Sequence, residues 1–381
     1  MKNFYKVGLM LTVSALLAGC GNLTNSSLSS HSNGTKTSKV TTTGTSKSGQ
    51  YSTLLQGGEY HTSAITGLNS ESDSDNASNP KSFEAGLLEI SKKEFSPDKY
   101  FFQEGKMISA SQAQKWLGRK SKNNPEGLNP EDNGSTDADK RNPIYLQQLL
   151  EQDFYTQNDK NYDLSGMTIG LSMNDVDYYT KEKYGAKFET KISDEQRLSE
   201  GREMANEIVN RLRRRSNLKN ITITVGLYKQ NVNDSLVGGT FFNYGVSSPG
   251  QKKVTNWKNI SQQNQVLPVV NDEKPINSND SEDFSNFKNH IQSYFSNLSG
   301  VTAQTHYQDG KLKGMAINIT TQFYGVAQID SFTQFVQDAA GKYLPQQPTI
   351  EIKIQTVQDP EAILVKDYNT KQYSSHVFAS Y

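Results

Sequence analysis

Leu164-Ser165-Gly166-Met167-Thr168-Ile169-Gly170-Leu171 returns 148 residues further on as Leu312-Lys313-Gly314-Met315-Ala316-Ile317-Asn318-Ile319. Apolar residues alternate in both stretches (167, 169, 171 and 315, 317, 319), the period of a strand with one face buried. A helix follows each. Leu198, Met204, Ala205, Ile208, Val209 and Leu212 mark one face of the first, with Ser193 and Gln196 as its capping box. Phe332, Phe335, Val336, Ala339, Ala340 and Tyr343 recur at helical spacing in the second, opened by Asp330 or Ser331 and stopped by Pro345. A further alternating strand closes each copy: Ile221, Ile223, Val225 and Leu227, then Ile350, Ile352 and Ile354. Each copy reads strand, helix, strand, a crossover in which the helix covers a shared sheet. The fold class expected is α+β, with two related strand-helix-strand units from an internal duplication, after an N-terminal signal peptide and a disordered tether.

Working outward, a helix is expected before each copy. Phe284, Phe287, Ile291, Phe295 and Leu298 form the stripe before the second, and Leu146, Leu149, Leu150 and Phe154 a weaker one before the first. Asp309-Gly310 between alternating segments signals a hairpin. Upstream, Phe83, Leu87 and Ile90 suggest a short helix, Tyr100-Phe101-Phe102 a short strand, and residues 110–117 another helix. Residues 120–141 are polar, carry Pro125 and Pro130, and are expected to be a mobile loop. The expected organisation is residues 1–19 signal peptide, 20–50 lipidated cysteine and tether, 51–142 an N-terminal extension, 143–270 repeat unit 1, and 271–381 repeat unit 2 with a tail.

The first twenty residues carry an export signal. Lys2 and Lys6 precede an apolar run, Val7 to Leu17, too short to cross a bilayer, which takes about 20 residues of helix. Leu17-Ala18-Gly19-Cys20 follows at once. Small residues at 18 and 19 suit a peptidase groove, and Cys20 offers its thiol for diacylglycerol transfer after cleavage between Gly19 and Cys20. Leu17-Ala18-Gly19-Cys20 resembles a bacterial lipobox. That resemblance implies prolipoprotein diacylglyceryl transferase and signal peptidase II as maturation partners and a lipid-anchored place on the extracellular face of the cell membrane. One acyl chain anchors only marginally; the two of a diacylglycerol, with an N-acyl chain besides, anchor firmly. Residues 21–50 are half Ser or Thr, with no acid, aromatic residue or Pro, so they cannot bury enough apolar area to offset their ordering entropy.

The chain has 381 residues, with Lys+Arg and Asp+Glu both at 40. With no field of one sign, an extended nucleic-acid surface is argued against. Cys20 is the only cysteine, so no intrachain disulfide forms and burial must supply the stability. No G-x-S-x-G, H-E-x-x-H or phosphate-binding glycine loop is present. The five histidines are scattered, and His290 reads as a helix-surface residue. No catalytic residue, metal ligand or cofactor is assigned beyond the lipid on Cys20. Residues 277–283 lack the glycine and distal Glu of a calcium loop and suit a solvated helix start instead. Arg211, Arg213, Arg214 and Arg215 either complement a helix C-terminus or bind an anionic polymer or headgroup. Glu207 is spaced to pair with Arg211. Tyr178, Tyr179, Tyr184 and Phe188 either pack over a sheet end or stack on a ligand.

Several stretches together resemble the CamS family, lipoproteins that are precursors of the staphylococcal cAM373-type sex pheromone. They include Tyr51-Ser52-Thr53-Leu54-Leu55, Phe83-Glu84-Ala85-Gly86-Leu87-Leu88, Phe95-Ser96-Pro97-Asp98-Lys99-Tyr100, Gly166 through Asn174, and Gln292-Ser293-Tyr294-Phe295-Ser296-Asn297. The resemblance implies a surface lipoprotein of firmicute bacteria with two related repeats. It also implies a hydrophobic peptide released from the signal segment, here Val13-Ser14-Ala15-Leu16-Leu17-Ala18-Gly19. The family's pheromone is bulkier, with Ile and Phe where this sequence has Ser14, Ala15 and Leu16. The leading expectation is a non-enzymatic surface lipoprotein. A solute-binding lipoprotein of a transporter, with a cleft between the units, and a cell-wall enzyme are the alternatives.

Overall fold

The computed structural model describes residues 40–44, 49–70, 79–159, 161–270, 272–294, 300–323 and 325–379. Strand β1 (Val40–Thr42) pairs antiparallel with β2 (Leu54–Gln56), and β2 with β3 (Glu59–Tyr60). The tether expected over residues 20–50 therefore ends sooner than the composition suggests. Val40, Thr41 and Thr42 are β-branched and find an edge in residues 54–56. Residues 20–39, and with them Cys20, lie outside the described residues.

Helix α1 (Pro80–Ser91) starts where Asn79 accepts a hydrogen bond from Ser82 N at 3.0 Å and proline takes the first helical position. It buries Phe83, Leu87 and Ile90. Strand β4 (Phe101–Glu104) and helix α2 (Ala110–Leu117), capped by Ser109, follow. Next come β5 (Leu146–Asn158) and β6 (Asn161–Met173), one antiparallel hairpin. The helix expected at Leu146, Leu149, Leu150 and Phe154 is thus a strand. Its first ten residues are buried on both faces, so apolar residues sit at both parities and the alternation that would betray a strand disappears. The helix that precedes the first copy is α2.

A short hairpin, β7 (Val176–Thr180) and β8 (Lys187–Lys191), leads to α3 (Asp194–Leu212), whose capping box from Ser193 and Gln196 forms as expected. Strands β9 (Thr222–Lys229), β10 (Thr240–Ser247) and β11 (Thr255–Asn259) complete a six-stranded sheet in the order β4-β5-β6-β9-β10-β11. The second half runs β12 (Gln262–Leu267), α4 (Ser278–Tyr294), β13 (Gly300–Gln308), β14 (Lys311–Thr320), α5 (Val326–Tyr343), β15 (Thr349–Gln355), β16 (Pro360–Lys366) and β17 (Ser374–Val377). Helix α5 begins four residues before Asp330, after Gly325, so neither Asp330 nor Ser331 caps it. Asp309 and Gly310 both take positive φ at the β13–β14 turn, as the hairpin signal requires.

The second sheet has the order β12-β13-β14-β15-β16-β17, element for element the order of the first. The central pair is parallel in each, with Gly166 opposite Thr222 and Gly314 opposite Thr349, and the flanking pairs are antiparallel. Each repeat therefore starts at an edge strand, β4 or β12, upstream of residues 143 and 271.

The two sheets differ in what covers them. Met167, Ile169, Leu171, Ile223 and Val225 of the first pack under α3, and its opposite face packs Leu150, Tyr228 and Phe241 under Phe83, Leu87 and Ile90 of α1. In the second, Ile317, Ile319, Ile350 and Ile352 pack under Phe284, Phe287 and Phe332 of α4 and α5. Its opposite face carries no helix among the described residues.

Candidate functional site

One cleft, of about 730 Å³, opens between the loop of residues 118–141 and the β7–β8 hairpin. Its wall is built from a charged pair. Arg141, nearly buried, donates to Asp177 Oδ2, and Asp177 also accepts from Ile144 N at 2.9 Å. The Arg141 guanidinium lies 4.0 Å from the centre of the Tyr179 ring, which leans on Phe188. Tyr179 donates its hydroxyl proton to Thr136 O. Arg119 donates to Pro130 O and Asn142 O, and burial pulls its guanidinium below the usual arginine range. Lys120, Asn123 and Asn124 line the opening. These groups can hold a polar ligand by hydrogen bonds. Ser121, the serine on this wall, accepts from Asn124 N, and no histidine stands among the lining residues to activate it.

Residues 120–141 form no helix or strand, yet they are pinned rather than mobile. Asn129 is fully buried, donates to Leu117 O and Leu146 O, and accepts from Tyr145 N and Leu146 N, all within 2.7–2.9 Å. A loop whose anchor satisfies four backbone groups cannot swing freely.

The arginine cluster is absorbed by the fold. Arg213 is buried and donates to the carbonyls of Gln251, Leu218, Lys219, Ile221, Ser247 and Ser248. Arg215 donates to Met107 O and Gln112 Oε1, and Arg211 pairs with Glu207 at 2.9 Å and lies over Trp116. Of the four, Arg214 alone is exposed, too little for an anionic polymer. Tyr184, 92% exposed, stands apart from the Tyr178–Tyr179 wall. His290 is half-buried and stacks on Phe335 and Tyr343, joining α4 to α5 instead of facing solvent. Asn277 accepts from Asn279 N and Asp280 N, a helix-starting role for the acidic stretch.

Two buried acids went unnoticed in the sequence. Glu151 and Asp153 project from the same face of β5 and are fully buried. Glu151 accepts from Met107 N and Ile108 N, both at 2.8 Å. Burial raises both carboxyls above their usual range, and the Glu151 carboxylate beside it raises Asp153 as well. Two acids at i and i+2 would have signalled a shared face had residues 146–158 been read as a strand.

A second groove follows the seam between the repeats. Two connected hollows, about 310 and 950 Å³, share Ser82, His306 and Thr349 and run between α1 and the uncovered face of the second sheet. His306 is held by a 2.7 Å hydrogen bond between Nδ1 and Asn264 Oδ1, and burial lowers its pKa, so it is neutral near pH 7.

Two equivalent six-stranded sheets, one covered on both faces and the other on one, define the class as a duplicated α+β protein with grooved surfaces. The chain belongs to the CamS family, described as CamS sex pheromone cAM373 precursor, whose family model matches residues 60–372. It is similar to the crystal structure of the sex pheromone precursor from Lactobacillus salivarius subsp. salivarius UCC118, at 45% identity and a TM-score of 0.85, over 90% of this chain and 100% of that one. It is also similar to the C-terminal domain of the sex pheromone staph-cAM373 precursor from Staphylococcus aureus, at 32% identity and a TM-score of 0.70, over 80% of this chain and 98% of that one. A comparison with curated proteins gave no match.

Proposed function

We propose that this CamS-family chain is a non-enzymatic lipoprotein, anchored through Cys20 on the extracellular face of the cell membrane. Residues 17–20 carry the reading: Leu-Ala-Gly-Cys sits directly after a short apolar run, where a thiol is alkylated by diacylglycerol and the bond before it is cut. Prolipoprotein diacylglyceryl transferase and signal peptidase II are the enzymes such a segment serves. The lipid holds the chain at the bilayer, and the Ser/Thr-rich sequence after it separates the anchor from the repeats. The missing catalytic motifs support a non-enzymatic role, and no cofactor beyond the lipid is assigned.

Intact-mass analysis of membrane-extracted protein tests the anchor. The expected N-terminus is Cys20 carrying diacylglycerol, and Cys20→Ser should move the protein to the medium. A mature chain starting elsewhere, or an unmodified Cys20 on cell-bound protein, overturns it. The segment Val13–Gly19 is further proposed to leave the cell as a pheromone-like peptide, as the family description of a sex pheromone precursor suggests. Synthetic Val13–Gly19 peptide should induce clumping in responsive donor cells; no response up to micromolar concentration removes that half alone.

A further inference from the structure

The duplication shows what the seam groove lacks. Gly166 in β6 and Gly314 in β14 are equivalent by sequence and by register. Phe95 lies on Gly166: a Cβ there would stand 2.6 Å from Phe95 Cζ and 2.7 Å from Cδ1. Phe95 is buried and stacked on Phe154, with ring centres 4.6 Å apart. The next residue on this face, Thr168, is bonded to Ser91 of α1, and Gly170 lies under Phe83 and Leu87. At Gly314 nothing among the described residues lies within 4 Å of the Cβ position. Its neighbours on that face, Ala316 and Thr349, are small, and together they floor the 310 Å³ hollow. The second sheet thus keeps the seat for a ring and lacks the ring.

The ends of the groove carry opposite charge. At the C-terminal end of α1, Lys93 and Lys313 line the hollow; Lys93 Nζ stands 4.6 Å from the centre of the Tyr244 ring and Lys313 Nζ 5.2 Å from that of Tyr368. Among the described residues neither is in an ion pair with an acid, whereas neighbouring Lys92 is paired with Glu89 at 2.6 Å. At the other end, Glu351 lines the hollow beside Ala316, exposed. His306, neutral, stands between them. A matching ligand has an anionic end, an apolar middle and a cationic end, which is the layout of a short extended peptide with free termini.

We propose that the seam groove binds a short peptide, with its carboxylate at Lys93 and Lys313, its amino group at Glu351, and an apolar side chain over Gly314. The site is independent of the lipid anchor, so either proposal can fail alone. The test uses the chain with an equimolar library of hexapeptides with free termini, each with one Phe at a varied position, and the same library acetylated only, amidated only, or both. Calorimetry should show saturable binding, weakened at least tenfold by blocking the termini. Gly314→Phe should abolish binding without lowering the thermal midpoint, since the Cβ position is open. Lys313→Glu should weaken only peptides with a free carboxylate, and Glu351→Lys only those with a free amino group. No saturable binding at millimolar peptide, or a Gly314→Phe variant that binds like the parent, overturns the proposal. So does a parent that dimerises in solution and is made monomeric by Gly314→Phe, because a second copy then owns the groove.

Discussion

Adding one methyl group at each member of the repeated glycine pair measures how differently the two sheets are covered. In a strand, Gly is less favourable than Ala by about 0.5–1 kcal/mol, so on backbone grounds alone both Gly166→Ala and Gly314→Ala should stabilise. At 166 the methyl meets the Phe95 ring at 2.6 Å from Cζ and nearer still at Cε1, more than 1 Å inside ordinary contact. The ring cannot retreat. It is 1% exposed, stacked on Phe154 and set edge-on to Tyr100 at 5.3 Å. Overpacking of that kind costs about 1–3 kcal/mol and outweighs the backbone gain. At 314 no atom opposes the methyl and the gain should stand. The backbone gain is common to both and cancels, so the two variants should differ by the packing cost alone, about 1–3 kcal/mol. Urea unfolding followed by far-UV circular dichroism gives both values. Tryptophan fluorescence separates the first repeat, because Trp116 and Trp257, the only two tryptophans, both lie there. Variants agreeing within about 0.5 kcal/mol, the usual spread of a bland surface substitution, would refute the claim that one face is capped and the other vacant.

The buried acids set a pH dependence. The unfolded chain releases the Asp153 proton near the ordinary value of about 3.9, while the folded chain holds it to higher pH. The folded state then binds more protons, and stability falls as pH climbs above the acid range. Asp153→Asn, which cannot ionise, should flatten the decline of urea midpoints as pH rises above the acid range; parallel curves for variant and parent would count against a raised Asp153 carboxyl. Asn129→Ala strands four backbone groups in a buried site. At about 1–3 kcal/mol for each buried group left unpaired, reduced by entering water, the loss should be about 2–4 kcal/mol. Trypsin should then cut residues 120–141 faster, and an unchanged cleavage rate would show that Asn129 does not anchor the loop.

The sequence by itself determined the duplication, both crossover helices, the β13–β14 hairpin and the membership in a family. Those features are local: alternation, helical spacing, capping pairs and turn residues act over a few positions, and each is legible one segment at a time. Residues 146–158 escaped because burial on both faces erases the period that local reading depends on. The arginine cluster escaped because its partners, carbonyls at 218, 221 and 247 and residues 107 and 112, lie up to 108 positions away. Only the tertiary structure decided which face of each sheet is covered. Gly166 and Gly314 stand in the same Leu-x-Gly-Met-x-Ile pattern, and whether a ring sits on them depends on Phe95, a residue some seventy positions before one and over two hundred before the other. Coverage is a property of packing between distant segments, so a repeat that reads alike twice can be closed in one copy and open in the other.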